Sequence, residues 1–510
     1  MIKLRKYWRR PAPFDNATDA VAAIDLGSNS FHMIVARPNG GELAVVDRLR
    51  EMVRLAAGLD EQRRLKADAQ RRALDCLERF GQRLRDMPAG SVRAVGTNTL
   101  RSAHNAGEFL EVAEQALGHP IEIISGVEEA RLIYLGVAHS TPGTTGPRLV
   151  MDIGGGSTEL IIGEGFEPRR MESLYMGCVN MSQRHFPDGA ITAKRWQKAL
   201  LAARQELEPL ETSYRRLGWD EAIGASGTIR AVRSVVQAAG WSSAGISYDS
   251  LKRLAETLIK AGDVDKLKLA ELSAERAPVF AGGVAVLLAT FEALGIDQMR
   301  VSDGALREGL LYDLLGRIRH EDVRSRSVES LAGRYHIDLE QSERVARTAE
   351  QCLGQVSGAW ELDGEEPARW LRWAAWLHEV GLDIAHSQYH KHGAYILENA
   401  DLAGFSRQEQ RVLAGLVRLH RRKFASTVVK ALPEDWRQPI TYLAVLLRLS
   451  AVLHRSRSAT PLAPLELKAS EKRLQLRFPE GWLDEHPLTR ADLEQEAAYL
   501  KSARLALDFQ

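Results

Sequence analysis

Residues 149–163 read LVMDIGGGSTELIIG: an apolar run, an aspartate, three consecutive glycines, Ser157 and Thr158, a glutamate and a second apolar run. Glycine weakens a strand because it loses the most backbone entropy on folding and packs nothing. Three in a row inside a strong β pattern therefore mark a turn whose backbone is left bare. Residues 22–36, AAIDLGSNSFHMIVA, follow the same plan of strand, aspartate, small-residue turn and strand. The separation of Asp25 from Asp152 is that of a domain, so the chain is expected to hold two similar lobes whose turns meet at one cleft.

Such turns present backbone N–H groups without obstructing side chains, a nest for phosphate oxygens. Ser28, Asn29, Ser30, Ser157 and Thr158 add side-chain donors. A carboxylate beside this nest repels phosphate unless a cation lies between them. Asp25 and Asp152 therefore point to Mg²⁺, which binds through one or two carboxylates plus phosphate oxygens. A single hairpin of this kind reads equally well as a tight turn with a capping aspartate; the matched pair carries the argument.

Two further strand-to-helix turns belong with these. In AVGTNTLRSAHN (residues 94–105) Thr97, Asn98 and Thr99 have helix N-capping chemistry. Arg101 then falls in the first helical turn, where the dipole disfavours a cation, so it is expected to clamp a phosphate. In IEIISGVEEARLIYLGV, Glu128 and Glu129 also fall in a first turn. The helix dipole by itself accounts for acids there; pointing about 100° apart, only one of them can easily face a cleft, where a carboxylate orients or deprotonates an attacking water.

The rest of the chain sets the frame. With 510 residues it needs several cores. β-rich runs alternate with helical patterns to about residue 315, including helices at 67–84, 106–117, 127–138 and 276–293. Beyond 318 the pattern turns helical (WLRWAAWLHEV, ITYLAVLLRLSAVLH), and it ends in short strands with one helix. The expected divisions are a basic arm at 1–19, lobes at 20–134 and 135–317, a helical domain at 318–457 and a small α+β domain at 458–510. A net charge of +1 argues against nucleic acid as a partner and makes any anion preference local. Cys76, Cys178 and Cys352 show no CxxC spacing, which suits a reducing, cytoplasmic setting without disulfides or structural zinc. No run is read as reaching the roughly 18 apolar residues of a membrane span. The arm, with Tyr7 and Trp8, reads as a disordered tail or as a peripheral membrane or polyanion contact.

The ordered blocks AIDLGSNSFHMIVA, AVGTNTLRSAHN, EIISGVEEARLIYLGV, DIGGGSTELIIG, GASGTIRA and SDGALREGLLYD resemble the exopolyphosphatase / guanosine pentaphosphate phosphatase family, its bacterial exopolyphosphatases most of all. The resemblance implies two actin-like, ribonuclease-H-like lobes. It also implies Mg²⁺-dependent, processive removal of terminal phosphate from inorganic polyphosphate and from guanosine pentaphosphate, with K⁺ as a further activator and a homodimeric assembly. By matching motif, Glu129 is the residue that activates water, and Asp152 and Glu159 position metal and nucleophile. Gly154, Gly155, Gly156, Ser157 and Thr158 form one phosphate loop, Ser28, Asn29 and Ser30 the other, and Arg101 matches the phosphate-binding arginine. Ser226, Gly227 and Thr228 lie where relatives that bind ATP hold adenosine; the segment is short here, against a kinase.

The helical region resembles the HD phosphohydrolase domain, but His378-Glu379 replaces its His-Asp pair. His386, His390 and His392 fit no zinc spacing, so a metal-free HD-like domain is expected. Arg418, His420, Arg421, Arg422 and Lys423 form a basic run that is either a solvated helix end or a polyphosphate channel. The expected function is exopolyphosphatase. The alternatives are guanosine pentaphosphate phosphatase as the main role, an actin-fold kinase, and a non-enzymatic nucleotide sensor.

Overall fold

The computed structural model describes residues 20–39, 42–88, 90–141, 146–318 and 323–510. The expected arm at 1–19, and with it any membrane contact, lies outside the described residues. The described chain divides at residues 321/322 into two compact units.

The first unit carries two sheets of one design. In the first, β1 (Val21–Leu26), β2 (Phe31–Asn39) and β3 (Glu42–Glu51) form an antiparallel meander. β4 (Val92–Gly96) and β5 (Ile121–Ile123) extend it in parallel, in the order β3-β2-β1-β4-β5. The second repeats this with β6 (Arg148–Ile153), β7 (Thr158–Glu164), β8 (Glu167–Leu174), β9 (Glu221–Ala225) and β11 (Gln298–Val301), plus the short β10 (Ile246–Ser247) at its edge. The two hairpins singled out in the sequence are β1–β2 and β6–β7. Both stand at the head of their meander, next to the first parallel strand.

Helices follow each meander and separate the strands beyond it. α1 (Ala67–Leu84), α2 (Asn98–Ser102), α3 (Ala106–Leu117) and α4 (Gly126–Ser140) belong to the first sheet. α5 (Cys178–His185), α6 (Ala193–Leu217), α7 (Ser226–Ala238), α8 (Tyr248–Ala261) and α9 (Ala277–Leu294) belong to the second. α10 (Leu306–Ile318) then returns to pack on α4 and β1. Leu132 and Ile133 of α4 and Leu310 and Leu311 of α10 share one core with Val21 and Ala23 of β1 and Val150 and Ile223 of the second sheet. Two expectations change here. α4 runs unbroken through the expected boundary at 134/135, and α10, assigned to the second lobe, packs with the first. α9 also has the length and apolarity of a membrane span, with a mean hydropathy of 1.8 over 18 residues. It is the buried central helix of the second lobe's core, where both faces need apolar side chains.

The second unit contains α11 (Val323–Arg334), α12 (Leu339–Trp360), α13 (Glu365–Leu377), α14 (Tyr389–Asn399), α15 (Arg407–Leu419), α16 (Ser426–Lys430) and α17 (Glu434–Leu453). A sheet of β12 (Glu466–Ser470), β13 (Arg473–Arg477) and β14 (Ala506–Phe509) follows, with α18 (Trp482–Glu485) and α19 (Pro487–Leu500) between its last two strands. The expected separate domain at 458–510 does not form: Leu467, Leu474, Leu476 and Leu500 lie in the same core as Val345, Trp370 and Leu443. Trp360 stacks on Tyr442 at 4.4 Å and donates from Nε1 to Ser470 O at 2.9 Å, tying sheet to helices. A segment of 53 residues with three short strands buries too little surface to stand alone.

Candidate active site

The two bare turns meet. Both line one cavity of about 490 Å³ between the lobes, Ser28, Asn29 and Ser30 from one side and Gly154 to Ser157 from the other. A Cβ on Gly155 would lie 3.0 Å from Ser28 Cβ, and one on Gly156 would overlap the Asn98 side chain. None of the three glycines has a positive φ. Gly155 and Gly156 are required by this close approach of backbone to the facing lobe, not by turn conformation, while Gly154 meets only Ser157 O of its own turn at 3.2 Å. Among the described residues the N–H groups of Ser28, Asn29, Gly155 and Gly156 donate no backbone hydrogen bond, leaving two facing nests.

Four acids line the same cavity: Asp25 from β1, Asp152 from β6, Glu129 from the first turn of α4, and the exposed Glu271. Burial pushes the Asp25 carboxyl up to about 7, helped by the Glu129 charge. Burial and Glu129 do the same to Asp152, also to about 7. Burial likewise raises Glu129, against the pull of Arg101. Asp25 Oδ1 is buried without a hydrogen-bond partner. Among the described residues no three His, Cys, Asp or Glu side chains are gathered tightly enough to enclose a metal by themselves. An orphaned carboxylate oxygen and a second facing carboxylate fit an ion that takes two protein oxygens and completes its shell with phosphate and water, as Mg²⁺ does.

The other expected residues are placed less simply. Glu159 stands opposite Asp152 in the ladder, but it is buried, accepts from Ser173 Oγ at 2.8 Å and is not part of the lining. Burial first, then Glu129 and Asp152, raises its carboxyl well above the ordinary range. Thr158 is buried and donates to Met176 O at 2.6 Å, so its hydroxyl is spent on the fold rather than turned to the cavity. Thr228 is also buried off the lining; Ser226 and Gly227 remain on it. Ser226 holds φ of 90°, a strained left-handed setting for a side chain, at the turn from β9 into α7. Arg101 is not on the lining: its guanidinium donates to Ile124 O at 2.8 Å and to Glu129 at 3.2 Å. Thr97 makes no side-chain cap, and Thr99 instead donates to Ser28 Oγ at 2.8 Å.

Sequence reasoning missed the cavity's cations. Arg48, Arg50, Arg230, Arg276 and Arg307 line it, with His32. Arg307 reaches His32 Nδ1 at 3.3 Å, and burial plus these arginines drive the His32 imidazole down to about 3, so it stays neutral. Arg276 and Arg307 sit at or just inside helix starts. That placement against the dipole is the same signal that drew attention to Arg101.

In the helical unit the basic run is split. His420 is buried, its Nδ1 2.6 Å from Val417 O, so it does not belong to an anion-contacting surface. Arg422 and Lys423 are exposed and Arg418 and Arg421 half-buried, Arg421 lying 4.2 Å over the Tyr389 ring. Buried Arg448 fixes this turn by donating to Leu419 O and Arg422 O. His390 faces Arg418, Arg421 and Lys391, and burial with these charges lowers it to about 4.

The first unit matches the Ppx/GppA phosphatase family model over residues 34–318, and residues 323–497 match Ppx/GppA phosphatase, domain III. The chain belongs to the Ppx/GppA phosphatase family. It is a phosphoanhydride hydrolase with an actin-like fold. A guanosine-5'-triphosphate,3'-diphosphate pyrophosphatase of Vibrio cholerae is 45% identical over 479 residues, 93% of this chain and 95% of that one. A protein of the same name from Aeromonas hydrophila is 44% identical over 93% and 95%. Among solved structures, the Aquifex aeolicus member of the Ppx/GppA family is 27% identical with a TM-score of 0.50, covering 59% of this chain and 98% of that one. An exopolyphosphatase from Cytophaga hutchinsonii, 23% identical with a TM-score of 0.53 over 59% and 98%, shares the fold.

Proposed function

We propose that this chain hydrolyses the terminal 5'-phosphate of guanosine pentaphosphate, leaving the 5'-diphosphate,3'-diphosphate and inorganic phosphate. The carrying observation is the likeness, at 42–45% identity over 93% of the chain, to relatives whose names specify that nucleotide. This reverses the emphasis of the sequence reading, in which inorganic polyphosphate came first. The cavity suits a compact, highly charged nucleotide, with two amide nests and five arginines set against four acids.

Phosphoryl transfer asks a protein for positioning and charge neutralisation more than for covalent help. The free amides of both hairpin turns bind and orient the terminal phosphate, and the arginines hold the remaining anionic groups. Asp25 and Asp152 would hold Mg²⁺, with Glu159 behind Asp152. The ion's contribution when bound is to draw charge from the scissile phosphate. Glu129, its carboxyl raised by burial and held by Arg101, accepts the proton of the attacking water. The leaving oxygen belongs to the β-phosphate.

Inorganic polyphosphate as a second substrate is favoured by the basic turn of half-buried Arg421 and exposed Arg422 and Lys423. The test is phosphate release from guanosine pentaphosphate and from long-chain polyphosphate side by side, each with Mg²⁺ and with chelator. A higher kcat/KM for the nucleotide, lost with chelator, is expected. Turnover of polyphosphate alone would overturn the proposal.

A further inference from the structure

A buried charge network next to the cleft takes no part in the chemistry described so far. Glu128 and Glu129 diverge from one helical turn: Glu129 lines the cavity, while Glu128 is fully buried. Ser125 caps the helix by accepting from Glu128 N at 3.1 Å. Arg131 grips both Glu128 carboxylate oxygens at 2.8 Å each, and Arg93 of β4 approaches at 3.7 Å. Arg93 and Arg131 in turn each donate to a different oxygen of Asp313 on α10. Arg317 adds a bond to Asp313 at 2.9 Å.

Burial alone would push the Asp313 carboxyl up, but Arg131, Arg93 and Arg317 overcome it and hold the group far below the ordinary range. Asp313 is therefore an anion at every working pH. Buried ion pairs of this kind contribute little net stability, because desolvation offsets the attraction. What they supply is direction, since guanidinium forks fix the carboxylates they bind. α10 is a firm anchor: a Cβ on Gly309 would overlap Leu132 O of α4, so the two helices touch backbone to backbone.

We propose that Asp313 is a positioning residue for Glu129. It holds Arg93 and Arg131 on Glu128, and so sets the rotation of the first turn of α4 that aims Glu129 into the cleft. This rests on the reading of Glu129 as the base. Displacing a reacting group by about 1 Å costs on the order of 100-fold in rate. The network's hydrogen bonds described above join β4, α4 and α10, so its loss is expected to act on kcat and to spare KM.

The experiment compares Asp313→Asn, Glu128→Gln, their double variant, Arg131→Lys and Glu129→Gln, with kcat and KM for the Mg²⁺ complex of guanosine pentaphosphate. A kcat loss on the order of 10- to 100-fold at a KM within about two-fold is expected for the network variants. The double variant should be no worse than the poorer single, since both break one chain. Arg131→Lys keeps the charge but not the fork and should fall in the same range, which guards against misfolding of Asp313→Asn. Wild-type kcat in all network variants with an inactive Glu129→Gln overturns the positioning role alone. Parallel changes in kcat, KM and melting temperature would make the network merely structural and overturn it too. An active Glu129→Gln overturns the underlying reading of the base, and the positioning role with it.

Discussion

Asp152 and Glu159 stand directly opposite each other in the β6–β7 ladder, on one face of the sheet. Like charges in that relation destabilise a strand pair. Both carboxyls are buried and raised, and Glu129 contributes to each shift. The cleft is thus assembled against its own repulsion, and a proton or a cation relieves it.

The sign of the pH effect follows. Asp25 at about 7, against 3.8 for a free aspartate, leaves the native state holding more protons than the unfolded state between about pH 4 and 7. Its contribution to stability is therefore lost as pH rises through that window. Buried histidines such as His32 act in the opposite direction, so the comparison is made against Asp25→Asn. In chelator this variant should exceed the wild type by about 1–3 kcal/mol at pH 8 and by little at pH 5. Thermal melts at the two pH values check it; an equal gap at both contradicts the burial argument.

Glu159 lies off the cavity, and in the proposed mechanism it acts through Asp152. Glu159→Gln should lower activity by about 10-fold and raise the Mg²⁺ concentration needed for half-maximal rate, the usual scale for a group behind a metal-holding carboxylate. A Mg²⁺ titration of the initial rate measures this. An unshifted titration would place Glu159 outside the metal's field.

The basic turn of the helical unit is separable from the chemistry. Arg421→Ala with Arg422→Ala should raise KM for long-chain polyphosphate, more steeply at high salt, and leave guanosine pentaphosphate turnover unaltered. Steady-state rates on both substrates at two salt concentrations decide it. An unaltered long-chain KM removes the turn from substrate binding.

Much of this was readable from local pattern. The β1 strand, the α1 helix and the two hairpins declared themselves because their periodicity is strong and their turns are built of Gly, Ser and Asn. β8 escaped because it is an edge strand rich in charged residues with no apolar alternation, and β11 because four residues carry too little pattern. Thr158 and Thr228 were misplaced because a motif lists residues without saying which face each side chain takes. Arg48, Arg230, Arg276 and Arg307 reach one cavity from separate elements; only the fold brings them together, so no spacing records it.

The central claim is that Glu129 activates water for attack on a phosphate held between the two turns. Its most direct test is Glu129→Gln, with single-turnover hydrolysis of guanosine pentaphosphate measured beside equilibrium binding of the same nucleotide. The account predicts turnover lowered at least about 1,000-fold with Kd within a few-fold of the wild type. Hydrolysis at the wild-type rate, or loss of binding in place of loss of rate, would contradict it.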